Sequence, residues 1–105
     1  MLDKMNRLMS LYDLYKTLLT DKQQEYFQMY YYDDLSLSEI ANETFVSRNA
    51  VHDNIRRTEN TLEVYEEKLK IFKKASQRVA LYDKIEEVTN DEAVLRIIKE
   101  LQALE

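Results

Sequence analysis

An all-α fold follows from three features of the 105-residue sequence. It contains no Gly and no Pro, its apolar residues recur at helical spacing, and Ser or Thr precedes several of the stripes with Glu or Gln three residues on. Average usage would put about seven Gly and five Pro in a chain of this length. Tight hairpins draw on Gly or Asn at positive φ, so a strand meander is not expected. Phosphate-cradling loops are Gly-rich, which excludes a P-loop or dinucleotide-binding fold. With Cys 0 and His 1, zinc sites, thiol chemistry and disulfides fall away, and neither metal nor cofactor is expected. The 45% apolar and 33% charged content is that of a globular chain. No apolar run approaches about 18 residues and no signal-like apolar segment follows the N-terminus, so the expectation is a cytoplasmic protein without membrane insertion.

The first helix is predicted over residues 3–19. Met5, Leu8, Tyr12, Tyr15 and Leu19 form its apolar stripe. Thr20 with Gln23 reads as a capping box for a second helix to about residue 32 that buries Tyr26, Phe27, Tyr30 and Tyr31. Asp33 and Asp34 interrupt the pattern. Ser36 with Glu39 opens a short third helix through Leu37, Ile40 and Ala41, a polar break is expected at 42–44, and Ser47 caps a fourth helix.

The fourth helix is predicted to run without interruption over 48–74. Val51, Ile55, Thr58, Leu62, Tyr65, Leu69 and Phe72 alternate by four and three, a heptad seam that continues to Val79. Such a helix would be about 40 Å long, against a radius of gyration near 13 Å for a domain of this size. It should therefore project from the bundle with a seam that needs a partner. Leu81, Ile85 and Val88 offer one local surface. Thr89 with Glu92 reads as a third capping box, before a last amphipathic helix carrying Val94, Ile97, Leu101 and Leu104. The expected organisation is one domain, with a helix-turn-helix bundle at 1–60 and, at 61–105, the continuation of the long helix plus a C-terminal helical dimerisation region. Leu62, Tyr65, Leu69, Phe72 and Val79 are the expected dimer contacts, and a homodimer is expected.

Residues 35–58 carry the functional signal. A short helix, a tight turn and a second helix with basic residues near its start describe a helix-turn-helix. Ala41 fits the close crossing of the two helices, and Val46, Val51 and Ile55 read as its core. On the other side Ser47, Arg48, Asn49, His52 and Arg56 face out, with Arg48, His52 and Arg56 in one i, i+4, i+8 stripe. Arg suits guanine edges, Asn suits adenine edges, and Ser47 could donate to a phosphate. The candidate nucleic-acid-binding residues are Ser47, Arg48, Asn49, His52, Arg56 and Arg57.

The net charge of -5 argues against tight nonspecific binding, and Asp53 lies within the basic face. The clustered tyrosines, Tyr12, Tyr15, Tyr26, Tyr30 and Tyr31, could stack on bases, but their helical spacing reads as core with wet hydroxyls. His52 sits on a charged helix face with no Gly-rich elbow near a Ser, and the carboxylate pairs Glu63/Glu67 and Glu86/Glu87 read as solvated surface. No enzyme is expected.

The run Val46-Ser47-Arg48-Asn49-Ala50-Val51-His52-Asp53-Asn54-Ile55-Arg56-Arg57-Thr58-Glu59 resembles the signature of the YlxM family. Leu19-Thr20-Asp21-Lys22-Gln23, Tyr31-Tyr32-Asp33-Asp34, Ser38-Glu39-Ile40-Ala41 and Tyr65-Glu66-Glu67-Lys68-Leu69 fit the same pattern. The family comprises small bacterial helix-turn-helix proteins similar to the DNA-binding region four of sigma factors. The resemblance implies a bundle of that type without a wing. Family members are encoded beside the genes for the GTPase of the signal recognition particle and for its receptor. The resemblance thus implies a non-enzymatic regulatory protein of that pathway, with the particle RNA, the particle GTPase, its receptor or promoter DNA as possible partners. A transcriptional regulator reading a DNA half-site with helix 48–58 and a helical scaffold that binds no nucleic acid are the competing readings. The family pattern has an aromatic residue and then Gly just before Val-Ser-Arg, whereas Thr44 and Phe45 stand here. Without Gly, either another turn geometry is expected, with Phe45 supplying the aromatic from a neighbouring position, or a different crossing of the two helices. His52 replaces a usual Tyr and Asn49 a usual Gln.

Overall fold

A computed structural model describes residues 2–105 as six α-helices. They are α1 (Leu2–Tyr15), α2 (Asp21–Phe27), α3 (Leu37–Thr44), α4 (Arg48–Leu69), α5 (Ile71–Val88) and α6 (Glu92–Ala103), with no strand among the described residues. The all-α class and the helix-turn-helix order of elements are those the sequence predicts. Two compact units are formed, Met1–Leu69 and Lys70–Glu105.

In the first unit two of the caps form as their spacing requires. Thr20 Oγ1 accepts the Gln23 N–H at 3.2 Å while Gln23 Oε1 accepts the Thr20 N–H at 2.9 Å. Ser36 and Glu39 repeat the exchange at 3.1 and 3.0 Å. Each box satisfies two otherwise orphaned donors, and a lost N-cap typically costs about 1 kcal/mol. The Ser36 N–H and hydroxyl hold the Glu39 carboxyl below its ordinary pKa. Helix α1 ends at Tyr15, earlier than predicted, because Lys16–Leu18 tighten into a 3₁₀ turn. Gln28–Tyr32 widen into a π turn, with the Asp33 N–H on the Gln28 carbonyl at 3.0 Å.

An aromatic core joins α1 to this segment. Phe27 stacks on Tyr12 at 4.4 Å and on Tyr31 at 4.3 Å between centroids. Leu8, Leu11, Ile40, Val51, Ile55 and Leu62 are buried beside it. Three phenols inside are partnered: Tyr12 accepts from Gln28 Nε2 at 2.7 Å, Tyr15 donates to Glu66 at 2.7 Å, and Tyr31 donates to Glu59. Burial, then the Glu59 carboxylate, pushes the Tyr31 hydroxyl well above the ordinary tyrosine pKa. Tyr30, predicted as core, is 37% exposed, because the π turn rotates it away from the face that Phe27 and Tyr31 share.

The long helix is not continuous. It stops at Leu69, Lys70 takes a left-handed conformation (φ 55°, ψ 30°), and α5 starts at Ile71. The heptad seam also finds cover within the chain earlier than its length suggested. Leu62 is fully buried, and the Tyr65 ring meets Tyr15 at 5.8 Å while its hydroxyl reaches the Leu18 carbonyl at 3.4 Å. Of the five expected dimer contacts, Leu62 and Tyr65 are thus used in intrachain packing, whereas Leu69 and Val79 are exposed. Glu63, read as solvated, forms a two-pronged ion pair with Arg7, both bonds 2.9 Å long.

The second unit is a helical pair. Asp91, not Thr89, caps α6: its carboxylate accepts the Ala93 and Val94 N–H groups at 2.9 and 3.3 Å, while Thr89 Oγ1 accepts the Asp91 N–H. The chelate between Arg78 and Glu105 (2.5 and 2.8 Å) joins the middle of α5 to the residues just beyond α6 and holds the Glu105 carboxyl below its ordinary pKa. Tyr82 and Ile98 are the buried hydrophobic residues here. The apolar face predicted for the last helix is mostly outward: Ile97, Leu101 and Leu104 are exposed and Val94 is half-buried.

Candidate nucleic-acid interface

Helices α3 and α4 pack through Ile40 and Ala41 on one side and Val51 and Ile55 on the other, all buried. Val46, expected in this core, is half-buried. The predicted polar break at 42–44 is helical; the turn is Phe45, Val46 and Ser47. Phe45 closes α3 in the left-handed region (φ 60°, ψ 35°), with its N–H on the Ala41 carbonyl. The Val46 N–H reaches the same carbonyl at 3.3 Å, the six-to-one bond of a Schellman end. The turn thus keeps the conformation that Gly favours and forces Phe45 into it, contrary to the expectation of another turn geometry. For a residue with a Cβ this costs about 1 kcal/mol.

Ser47 then opens α4. Its Oγ accepts the Ala50 N–H at 3.1 Å and its carbonyl accepts the Val51 N–H at 3.1 Å. The cap uses the hydroxyl oxygen as acceptor, so the hydroxyl proton stays available to a phosphate. Because Val51, Ile55 and Thr58 turn inward, the opposite face turns out, and Ser47, Arg48, Asn49, His52, Arg56 and Arg57 are all exposed. All six predicted residues therefore share the solvent side of the first three turns of α4. Arg48, His52 and Arg56 form one stripe, and Asn49, Asp53 and Arg57 form its neighbour. His52 Nδ1 lies 3.5 Å from Asp53 Oδ1, a solvated contact of little energetic weight.

Beside this face runs an open groove of about 570 Å³, lined among others by His52, Arg56, Tyr30, Leu37, Lys4 and Met5. Arg56 thus borders both the outer face of α4 and the groove. No group of three or more His, Asp or Glu side chains suited to a metal occurs among the described residues, and none of their helices is long and apolar enough to cross a membrane.

Sequence reasoning missed Glu59 and Glu66 as the acceptors of buried tyrosines. A buried phenol demands an acceptor, but nothing local ties Tyr15 to a carboxylate 51 positions away. It also missed the full exposure of Phe45, although two helices joined without Gly require some other residue at positive φ.

Fold and site together define a helix-turn-helix protein whose second helix presents an Arg- and Asn-bearing face. Comparison with known families sharpens that class. The family described as "Putative helix-turn-helix protein, YlxM / p13 like" (UPF0122) matches residues 2–102, and the chain belongs to it. A UPF0122 protein of Anoxybacillus flavithermus is 49% identical over 110 residues, covering 100% of both chains. One from Oceanobacillus iheyensis is 50% identical over 105 residues, again covering 100% of both. The UPF0122 protein YlxM of Bacillus subtilis is 45% identical over 108 residues, covering 99% of this chain and 98% of its own.

Proposed function

We propose that the protein is a non-enzymatic, cytoplasmic regulator that binds nucleic acid through the outer face of α4 and serves the signal recognition particle pathway, through its RNA or through its GTPase or the receptor. The observation that carries the nucleic-acid part is the segregation of α4: Val51, Ile55 and Thr58 are buried while Ser47, Arg48, Asn49, His52, Arg56 and Arg57 are all exposed. The pathway rests on the family resemblance of the Val46 to Glu59 run. The absence of Gly and Cys and the single, exposed His support a protein without catalysis of its own. A chain with no site for a nucleotide can still bias a GTPase by binding one of its conformations better, with typical couplings of about 1–3 kcal/mol. The reading of a DNA half-site by the same helix is favoured by Arg48 and Asn49, which stand in the first turn where base edges are met.

A second copy of the chain is proposed to cover the exposed apolar side of residues 70–105. That segment carries seven basic and seven acidic side chains, so two copies meet without net repulsion, and one apolar patch against itself closes an isologous dimer.

The test replaces Arg48, Arg56 and Arg57 together by Ala. Each exposed substitution should change stability by no more than about 0.5 kcal/mol. Affinity for the particle RNA or for duplex DNA should fall at least tenfold, and the salt slope, near about -2.7 if three phosphates of a duplex are neutralised, should flatten. Whichever nucleic acid responds identifies the partner. Unchanged affinity for every RNA and DNA tested removes the nucleic-acid reading. GTP turnover by the particle GTPase and its receptor that stays equal across saturating additions of the protein removes the GTPase arm.

A further inference from the structure

Three residues of the described chain stand at positive φ, and none is Gly: Asp34 (56°), Phe45 (60°) and Lys70 (55°). All three are exposed; Phe45 and Lys70 directly follow a helix, and Asp34 stands one residue beyond the π turn. Asp tolerates the left-handed region through its short polar side chain, and an exposed Lys keeps its ammonium in water. Phe45 differs on both counts. It is a large apolar ring at 93% exposure, so it contributes almost nothing to the core, and it occupies a backbone conformation its Cβ disfavours. Its place is the turn of the helix-turn-helix, two residues before Ser47 and three before Arg48.

We propose that Phe45 is a base-stacking residue, and that the nucleic acid this protein prefers carries an unpaired base beside a duplex. The inference rests on the nucleic-acid reading of α4 and adds to it the structural class of the ligand. The chemistry follows from what surrounds the ring. Arg48 and the α4 N-terminus draw in phosphates, so a strand held there brings its bases to the turn. In an intact duplex both faces of every base are already stacked, and a ring in a rigid turn has nothing to cover. A bulged or loop base has a free face, which is where proteins place aromatic side chains on RNA. The turn fixes the backbone on both sides, with the Val46 N–H bonded to the Ala41 carbonyl and Ser47 capping α4, so little is left to order on contact. The exposed tyrosines are less suited to the role: the Tyr32 hydroxyl is engaged by Asp13, and Tyr30 packs edge-on against Tyr31 at 5.1 Å.

The experiment measures the full-length protein against two RNA hairpins of equal length, one fully paired and one with a single bulged purine, and against the matching DNA hairpins. Asn replaces Phe45 because Asn accepts positive φ and keeps the turn; Trp replaces it to retain the ring. The chain has no Trp, so Phe45→Trp supplies a lone indole whose emission reports stacking directly. The wild type and Phe45→Trp should prefer the bulged hairpin by about tenfold or more, in line with the loss usually seen when a stacking aromatic is removed. The Trp emission should be quenched on that hairpin alone. Phe45→Asn should bind both hairpins equally, with circular dichroism and melting temperature no lower than wild type. Equal affinities of wild type and Phe45→Asn for the bulged hairpin, or Trp emission that does not distinguish the two hairpins, overturn the stacking role while leaving the arginine face intact. Failure of the wild type to bind any hairpin, with Phe45→Asn likewise silent, overturns the nucleic-acid reading beneath it.

Discussion

The two units solve the problem of burying apolar surface in opposite ways. Residues 2–69 enclose an aromatic centre, Tyr12, Phe27 and Tyr31, with aliphatic side chains from α1, α3 and α4 around it. Residues 70–105 bury Tyr82 and Ile98 and leave Leu81, Val88, Ile97 and Leu104 in water, two of them at more than four-fifths exposure. The difference is one of layer number. Four helices can turn apolar stripes toward a common centre, whereas a pair offers each helix one neighbour, and whatever lies off that line stays wet. Charge divides along the same boundary. Residues 1–69 hold eight basic and thirteen acidic groups, the whole of the net charge, while residues 70–105 balance seven against seven. The first unit closes its core and carries the net charge; the second is charge-balanced and leaves large apolar side chains exposed.

The largest effect that tests this contrast is removal of the central ring. Phe27→Ala should lower the unfolding free energy by about 3–5 kcal/mol, because Phe27 is fully buried and stacked on two rings that cannot close the void. Ile97→Ala in the second unit should cost about 0.5 kcal/mol or less in a monomer, as its side chain is already exposed. In a dimer the same change should cost more, and the melting temperature of the wild type should rise with protein concentration. Urea titrations at two concentrations, with sedimentation alongside, separate the cases. A sedimenting mass of 12.6 kDa at micromolar concentration would remove the second copy from the account.

Much of the first unit was legible because its signals are local. Thr20 with Gln23, and Ser36 with Glu39, are complete at a spacing of three, and the solvent side of α4 follows from Val51, Ile55 and Thr58 alone. What was not legible depends on partners far away in the chain or on a single dihedral angle. Helix length alone places Leu62 and Tyr65 on a seam that needs a partner, whereas Tyr15, at the end of α1, reaches both Tyr65 and Glu66. The same regular seam ran through Lys70 without a slip, since a left-handed residue leaves no mark on hydrophobic periodicity. Thr89 with Glu92 matched a capping box, but Asp91 stands nearer the helix start and a carboxylate there captures both free N–H groups.

The break itself is the next thing to test, and its sign is diagnostic. Gly suits the left-handed conformation of Lys70 and harms a continuous helix. If α4 ends at Leu69, Lys70→Gly should raise stability by about 0.5–1 kcal/mol through relief of the positive φ. If residues 48–74 formed one helix, the same change should lower stability by about 1 kcal/mol. Denaturant unfolding of wild type and variant at equal concentration decides between them.

The smallest expected effect is an alkaline pH response within the first unit. The Tyr32 hydroxyl is pushed up to about 12, first by burial and then by its hydrogen bond to the Asp13 carboxylate at 3.1 Å. A raised pKa means the folded state holds the neutral phenol more tightly than the unfolded chain does. The corresponding stability is fully present below the ordinary value of 10.0 and is lost as pH rises from there to about 12. Tyr31, raised by burial and by Glu59, titrates in the same direction. Tyrosinate absorbance should therefore appear late for these two tyrosines, and for Tyr82 of the second unit, whose hydroxyl is raised by desolvation and its bond to Glu105. Tyr32→Phe should flatten the alkaline fall in melting temperature, with a small uniform loss near neutrality from the missing bond to Asp13. Asp13→Asn keeps an acceptor but removes the charge, and should move the late absorbance step to lower pH. An alkaline profile identical in wild type, Tyr32→Phe and Asp13→Asn would mean that the loss at high pH arises elsewhere, and that the phenols around Phe27 do not couple the fold of residues 2–69 to proton binding.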